Sequence, residues 1–309
     1  MGIVVLLGPQ RFTPTLGEAV ARAGVEGRLA SVTAGWQERE AEDLELHEHL
    51  GERTVNLMLY ARAEDVFEKD AELFRAHRER QEKLRTLQAL YRRRLAATRD
   101  AARRLVEAQG DEALLAPERE DAIRALSRLD AHHLRRVTAI DAEFEKRWRP
   151  ESRPVLRRHV RAIERQLEKV AGLAIAGGHV AILLNRLRLF GIASRVGGRP
   201  VFAWSAGAMA VCERIVLFHD NPPQGEGAPE VLQAGLGLVG GVVALPHAKR
   251  RLALDDRGRV TLLARRFEPD AALAFDDGSW LLFRDGRREA VSGVQQLLGA
   301  GEVAALEVA

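Results

Sequence analysis

Residues 200–210 constrain the fold of this chain more than any other stretch. A short apolar run, Val201–Trp204, is typical of a buried strand and stops at Ser205, after which small residues begin with Ala206. A serine at a sharp strand-to-helix turn needs small neighbours, because the turn crowds the backbone and pushes the hydroxyl outward. The first amides of the helix would face a developing anion. The pattern predicts a nucleophile elbow, although a strand before an Ala/Gly-rich helix explains the stretch alone equally well.

Composition narrows the class of protein. The chain has 309 residues, which favours about two domains. It is 29% charged and contains no apolar run of ~18 residues, so we expect no membrane partner. Residues 3–7 are too short for a signal-peptide core and predict a first strand. Cys212 is the only cysteine, so no intrachain disulfide is available and we expect a cytoplasmic protein.

Strand and helix patterns alternate along much of the chain. Apolar runs that indicate strands lie at residues 3–7, 28–32, 55–59, 171–176, 201–204 and 214–218, and in the tail at 260–264, 271–275, 280–283 and 289–291. Helical patterns lie at residues 15–23, 44–50, 155–169 and 180–189. Residues 276–278 and 284–286 fit hairpin turns between the tail strands. The alternation predicts an α/β fold with a doubly wound, mostly parallel sheet.

The stretch from about residue 61 to residue 148 has no strand pattern. Two sets of apolar residues spaced three or four apart flank a break at residues 109–111, which predicts a long antiparallel helical hairpin. We therefore divide the chain into a discontinuous α/β domain, residues 1–60 and 150–309, and an inserted hairpin, residues 61–149. Such a hairpin projects from the core or packs along a second copy, so a homo-oligomer formed through it is a further expectation. A length of about ninety residues is far beyond an ordinary loop.

Charges and histidines on the hairpin and nearby helices predict neither a nucleic-acid partner nor a metal. Arginines alternate with Glu and Asp, as on a solvated helix face, and the net charge of the chain is only +3. His132 and His133 are adjacent, and His47 and His49 are two apart, so neither pair shares a helix face. We expect no metal and no organic cofactor.

Three residues in chain order suggest acyl-transfer chemistry. Ser205, Asp220 and His247 each stand at or near a predicted strand end. A serine hydroxyl is a poor nucleophile until a histidine takes its proton, and the histidine needs a carboxylate to hold its tautomer. His219 is an alternative base and Glu213 an alternative acid.

The order and spacing of several stretches resemble one family, the serine peptidases related to aspartyl dipeptidase (peptidase E) and cyanophycinase, on the class I glutamine amidotransferase-like fold. The matching stretches are residues 174–184, with Gly177-Gly178-His179, residues 204–208, residues 220–223, and residues 236–238 leading to Pro246-His247. The resemblance implies that Ser205 is the nucleophile, His247 the base and Asp220 the residue that orients it. It also implies an oxyanion hole formed by the amides of Gly178 and Ala206.

The chain departs from the family pattern at several positions beside this site. Ala203 replaces a glycine, His179-Val180 replaces Asn-Thr, and Ala248 replaces a phenylalanine. These changes leave the substrate open. Candidate substrate-binding residues are His179 and two members of the basic run after His247, Arg250 and Arg251, although a solvated loop is the simpler explanation of that run.

Two functions from different classes remain. The first is a serine hydrolase that cleaves a peptide or amide bond in a short substrate through Ser205, His247 and Asp220. The second is a catalytically inactive α/β scaffold whose helical hairpin mediates oligomerisation or partner binding. The ordered set of serine turn, acid, histidine and Gly-Gly turn makes the hydrolase the leading hypothesis. The altered residues around His179 and the length of the hairpin motivate the scaffold as the alternative.

Overall fold

The structure is a computed structural model that describes residues 2–218 and 229–308. Its strands are β1 (Ile3–Leu7), β2 (Leu29–Val32), β3 (Thr54–Asn56), β4 (Gly172–Ile175), β5 (Val201–Trp204), β6 (Arg214–Leu217), β7 (Glu230–Ala234), β8 (Val242–Pro246), β9 (Ala271–Phe275), β10 (Trp280–Arg284), β11 (Arg287–Ser292), β12 (Gln295–Leu297) and β13 (Val303–Ala305). Its α-helices are α1 (Leu16–Arg22), α2 (Leu44–His49), α3 (Leu59–Lys69), α4 (Ala71–Glu107), α5 (Glu112–Trp148), α6 (Pro154–Leu167), α7 (Val180–Leu189), α8 (Ile192–Arg195), α9 (Ala206–Val211), α10 (Ala248–Arg251) and α11 (Arg257–Phe267). Short 3-10 helices span Ala34–Arg39 and Pro150–Ser152.

The largest sheet has the strand order β11-β10-β1-β5-β4-β2-β3. The five strands from β1 to β3 in that order pair in parallel, and β10 and β11 form an antiparallel extension at one edge. Successive residues of β1 belong to different cores: Leu6 lies in the core that includes residues of α3, α6 and α7, whereas Leu7 lies in the core that includes residues of α1. Helices therefore cover both faces of the sheet, and the predicted doubly wound, mostly parallel α/β fold is confirmed.

A second sheet carries the histidine that the sequence singled out. Its order is β13-β12-β9-β8, and β8 runs parallel to β9. Residues 276–278 lead from β9 in this sheet to β10 in the largest sheet. Because the two strands do not pair, the prediction of a hairpin turn there is wrong. The turn at residues 284–286 does join an antiparallel pair, β10 and β11.

The predicted strand at residues 260–264 is wrong, because these residues lie within α11. The Asp256 side chain accepts a hydrogen bond from the amide of Arg259 and caps the helix. The buried Val260, Leu263 and Phe267 then share one face at helical spacing. A short apolar run does not distinguish a buried strand from a buried helix by itself.

The two long helices, α4 and α5, form the predicted antiparallel hairpin. Asp70 caps the N-terminus of α4, and Asp111, within the predicted break, caps the N-terminus of α5. The inner face of the hairpin belongs to the same apolar core as the sheet, through residues that include Tyr91, Leu95, Ala102, Ile123 and Leu126. The hairpin thus packs along its own α/β core, against β7 and α11, and does not project from it. The division into two domains and a homo-oligomer formed through the hairpin stay predictions.

A buried polar network fastens the hairpin to the core. The Tyr91 hydroxyl donates to Asp130 Oδ1 at 2.7 Å and accepts from the amide of Val231 at 3.1 Å. Arg266 of α11 donates to both oxygens of Asp130, at 2.6 and 2.8 Å. These groups satisfy one another in a region closed to water, which is the condition for burying a charge pair.

Across the described ranges, 2–218 and 229–308, every helix is either too short or too polar to cross a bilayer.

Candidate active site

Ser205 occupies the turn between β5 and α9, in a conformation that few residues adopt. Its φ is 51° and its ψ is −120°, which costs on the order of 1–3 kcal/mol and requires the surroundings to hold it. The neighbours have no room for larger residues. A Cβ added to Gly177 would lie 2.9 Å from the Ser205 Cβ, and one added to Gly207 would lie 2.3 Å from the Ile175 oxygen. Small residues around Ser205, which the sequence pattern predicted, are therefore a steric requirement of this turn.

His247 approaches the serine from the second sheet. Its Nε2 lies 3.3 Å from the Ser205 Oγ, and both side chains are half-buried. His247 directly follows β8, has a φ of 60°, and donates its amide to the Phe275 oxygen at 2.8 Å. The 3.3 Å separation is slightly beyond the usual reach of about 2.6–3.2 Å, as is common in sites without substrate. The pair is placed so that the imidazole can take the hydroxyl proton when the site tightens.

Burial lowers the pKa of His247 below its ordinary value of 6.5. The Arg251 guanidinium acts in the same direction, the Asp277 carboxylate opposes it by favouring the imidazolium, and Arg250 lowers the pKa further. The imidazole is therefore neutral at pH 7, which is the form that can accept a proton from Ser205.

Asp276, which sequence reasoning missed, fixes the helix that follows His247. It directly follows β9, and its Oδ1 accepts a hydrogen bond from the amide of Lys249 in α10 at 3.1 Å. Burial raises the pKa of this carboxyl group. The sequence suggested only a turn at this position, since the pairing of β8 with β9 that puts Asp276 beside His247 is a long-range contact.

The two predicted oxyanion donors are the neighbour of Ser205 in the chain, Ala206, and the neighbour of Gly177, Gly178; Gly177 itself closely approaches Ser205. Gly178 has a φ of +105°, and a Cβ added to it would lie 2.3 Å from the Gly35 oxygen. Among residues 2–218 and 229–308 the Gly178 amide has no hydrogen-bond acceptor. Ala206 is the first residue of α9, and the first amides of a helix have no partner within it. Neither amide thus has an acceptor among the described residues, and their role as oxyanion donors stays a prediction.

A further loop, after β2, completes this edge of the sheet and was not predicted as part of the site. The Gly35 oxygen accepts a hydrogen bond from the His179 amide at 2.8 Å and thereby holds the Gly177-Gly178 turn. Gln37, two residues later, has a φ of 61° and a ψ of −125°, nearly the conformation of Ser205. The one indication in the sequence was the glycine after the second predicted strand.

The remaining sequence candidates separate into four groups. Glu213, the alternative acid, is exposed directly before β6. Asp220 and His219 lie outside the described residues. His179 is exposed, and its Nδ1 accepts the Ile182 amide at 3.3 Å, so it caps α7 at the rim of the site. Arg250 is exposed on α10, whereas Arg251 is half-buried.

Cys212 is not a nucleophile of this site. Its side chain is fully buried, its thiol donates to the Ala208 oxygen at 3.2 Å, and burial raises its pKa to about 12. A thiol that stays protonated is unreactive. In the part of the chain that the structure describes, no group of three or more His, Cys, Asp or Glu residues is arranged to hold a metal ion.

Sequence comparison decides the family. Residues 137–291, half of the chain, match the profile of peptidase family S51. The chain belongs to peptidase family S51. The matched region begins in α5 and includes both Ser205 and His247, and it leaves out the first three strands, all of α4 and most of α5. Membership of a peptidase family identifies the protein as a peptidase and confirms the resemblance seen in its motifs.

Two solved structures are similar to this S51 peptidase. A crystal structure of a peptidase from an acI-B1 Actinobacterium is 13% identical, with a TM-score of 0.45 over 99% of this chain and 97% of that one. The crystal structure of a putative peptidase E protein from Listeria monocytogenes EGD-e is 16% identical, with a TM-score of 0.30 over 44% of this chain and 65% of that one. A search of curated protein sequences gave no match. The assignment to family S51 rests on the sequence profile.

Proposed function

We propose that this S51 peptidase cleaves a peptide or amide bond by acyl transfer to Ser205. The Oγ attacks the carbonyl carbon while His247 Nε2 takes the hydroxyl proton, and the tetrahedral oxyanion accepts hydrogen bonds from the amides of Gly178 and Ala206. The C–N bond then breaks as His247 returns the proton to the leaving amine. Water, with His247 as base, hydrolyses the acyl-enzyme, which releases the carboxylic acid and restores Ser205.

One observation supports this proposal above the others: the 3.3 Å approach of His247 Nε2 to a serine hydroxyl held in a strained turn. Strained backbone persists where the fold imposes it, and active sites are where it concentrates. The neutral state of His247, favoured by burial and by Arg251, supports its role as the base.

Asp220 is the proposed partner of His247 Nδ1, on the strength of chain order and family resemblance. A carboxylate there would hold the imidazole tautomer and stabilise the imidazolium form. Short peptides or amides are the proposed substrates. His179, Arg250 and Arg251 are the proposed substrate-binding residues, and the two arginines favour a substrate with a carboxylate near the scissile bond.

The test is labelling with a fluorophosphonate probe, which reacts with activated serines. We expect wild-type protein to be labelled at Ser205, as located by peptide mass spectrometry. Labelling and peptide hydrolysis should fall by at least about 10³-fold in Ser205→Ala. The matched control is Ser194→Ala, since Ser194 is exposed and donates only to the Gly191 oxygen. It should be labelled like wild type.

Two outcomes would contradict the proposal. Labelling that persists in Ser205→Ala would place the nucleophile elsewhere. A folded wild-type protein that is neither labelled nor able to cleave a mixed library of short peptides would favour the inactive scaffold.

A further inference from the structure

The outward face of α6 carries a row of arginines. Arg157, Arg161 and Arg165 are all exposed and stand four residues apart, so they share one side of the helix. Successive guanidinium groups are separated by a rise of about 6 Å, since each residue advances the helix by about 1.5 Å. The opposite face of the helix is its buried one, formed by Leu156, Val160, Ile163 and Leu167.

Positive charge is concentrated on this segment. Residues 153–169 contain six Lys or Arg residues and two Glu residues, whereas the whole chain has a net charge of only +3. The rest of the chain therefore carries no net positive charge, and this segment holds more than the whole excess. Lys169, just beyond the helix, continues the four-residue spacing.

The arginines of the row are not neutralised by the fold. Across residues 2–218 and 229–308, no carboxylate lies within 4.0 Å of Arg157, Arg161 or Arg165. Glu164, the acid within the helix, pairs with Arg195 at 3.1 Å, and the Arg157 guanidinium donates to a neutral acceptor, the Ser152 backbone oxygen, at 3.1 Å. Like charges four residues apart repel one another and destabilise a helix. The row thus lowers the stability of the protein on its own, and binding of an anionic partner would offset the repulsion.

We propose that this face of α6, the row Arg157–Arg161–Arg165, binds an extended acidic segment of another protein. Residues on one side of an extended peptide repeat at about 6.6–6.8 Å, close to the spacing of the arginines. Carboxylates on alternate residues would each meet one guanidinium, which binds a carboxylate through two parallel hydrogen bonds.

The composition of the face favours a peptide over a nucleic acid. Proteins that bind single-stranded nucleic acids stack the bases on aromatic side chains. Residues 153–169 contain no Phe, Tyr or Trp. The binding is independent of Ser205 chemistry, so it stands or falls separately from the proposed peptidase activity.

The test is fluorescence anisotropy at low salt, with a terminally blocked, labelled peptide of alternating Glu and Ser, about ten residues long. We expect saturable binding that weakens as salt is added. Arg157→Gln/Arg161→Gln/Arg165→Gln should weaken the affinity at least about tenfold. The matched control is Arg124→Gln/Arg128→Gln/Arg135→Gln, which removes the same charge from exposed positions on α5 and should change the affinity less than about threefold.

The second readout is thermal melting. The α6 triple variant should melt close to wild type, because relief of the repulsion between the arginines offsets the loss of one exposed hydrogen bond, from Arg157 to the Ser152 oxygen. Weak binding by a variant that melts like wild type cannot be ascribed to unfolding. Equal weakening by both triple variants, or no saturation up to about 1 mM peptide, would overturn the proposal. If a single-stranded oligonucleotide of similar length binds more tightly than the acidic peptide, the proposal is overturned and the partner is a nucleic acid. A peptide of the same composition with all Glu residues in one block should bind more weakly, and equal binding would contradict the alternate-residue geometry.

Discussion

Ser205 and His247 meet from two different sheets, and each has a positive φ, 51° and 60° respectively. Ser205 ends β5 of the large sheet, whereas His247 ends β8 of the smaller one, and their Oγ and Nε2 atoms lie 3.3 Å apart. Positive φ is uncommon outside glycine. Each residue therefore follows its strand in a turn whose conformation the surrounding packing must impose. The contact between Ser205 and His247 depends on how the two sheets pack against α9, which touches both β5 and β8.

The charges around His247 predict opposite shifts of the pH profile. Activity requires the neutral imidazole, so it is lost as pH falls through the pKa of His247. Arg251→Gln removes a charge that lowers this pKa, and the acidic limb of kcat/KM should move to higher pH. Asp277→Asn removes a charge that raises it, and the limb should move to lower pH. The profile is measured by peptide hydrolysis or by the rate of fluorophosphonate labelling. Shifts in the same direction would contradict the assignment of His247 as the base.

The close packing around Gly178 predicts that an alanine there reduces catalysis. An alanine at another glycine with positive φ, where there is space for the side chain, should strain the backbone without this effect. In Gly178→Ala the new Cβ would lie 2.3 Å from the Gly35 oxygen, which forces the proposed oxyanion amide out of place. We expect kcat to fall by about 10²–10³-fold, the effect of losing one such donor. Gly24→Ala is the control, since Gly24 has a φ of +66° and nothing within 4 Å of its added Cβ. It should lose on the order of 1 kcal/mol of stability and keep its kcat. Comparable kcat in the two variants would count against a role for the Gly178 amide.

Asp276 predicts a positioning effect on His247. Asp276→Ala removes the acceptor of the Lys249 amide and should loosen α10, which begins directly after the histidine. A displacement of this kind should reduce kcat by about 10–100-fold. Asp111→Ala is matched to it, because Asp111 accepts the Ala113 amide at 3.0 Å at the tip of the helical hairpin. Both variants should lose about 0.5–2 kcal/mol in urea unfolding, and only Asp276→Ala should lose activity. Full activity in Asp276→Ala would show that α10 holds His247 without it.

The buried Asp130–Arg266 pair predicts the largest loss of stability. Both side chains are nearly closed to solvent, at 5% and 4% exposed, so Arg266→Met would leave the Asp130 carboxylate unpaired in the interior. The free energy of unfolding, measured in urea, should fall by about 3–5 kcal/mol. Arg124→Met removes an exposed pair with Glu120 at 3.3 Å and should cost about 1 kcal/mol or less. Similar losses in the two variants would mean that the network does not fasten the hairpin to the core.

Much of the secondary structure was predictable because it depends on neighbours in sequence. The break at residues 109–111 was visible from its glycine and its flanking periodicities, and Asp111 caps α5 there. The strand at 260–264 was wrong because the cap at Asp256 and the facing core, which make this run a helix, lie outside it. The packing of the hairpin on its own core was also beyond the sequence, since Tyr91 and Arg266 are 175 residues apart.

The sequence by itself determined the serine turn and the order of its partners. The small residues around Ser205 are a local steric requirement, so they are visible in a short stretch of sequence. Only the tertiary structure decided that His247 arrives from a second sheet, that Gly35 braces the Gly177-Gly178 turn, and that Asp276 holds α10. The physical reason is that these contacts join strand ends distant in the chain. Strand order and register determine which ends meet, and no short stretch of residues encodes them.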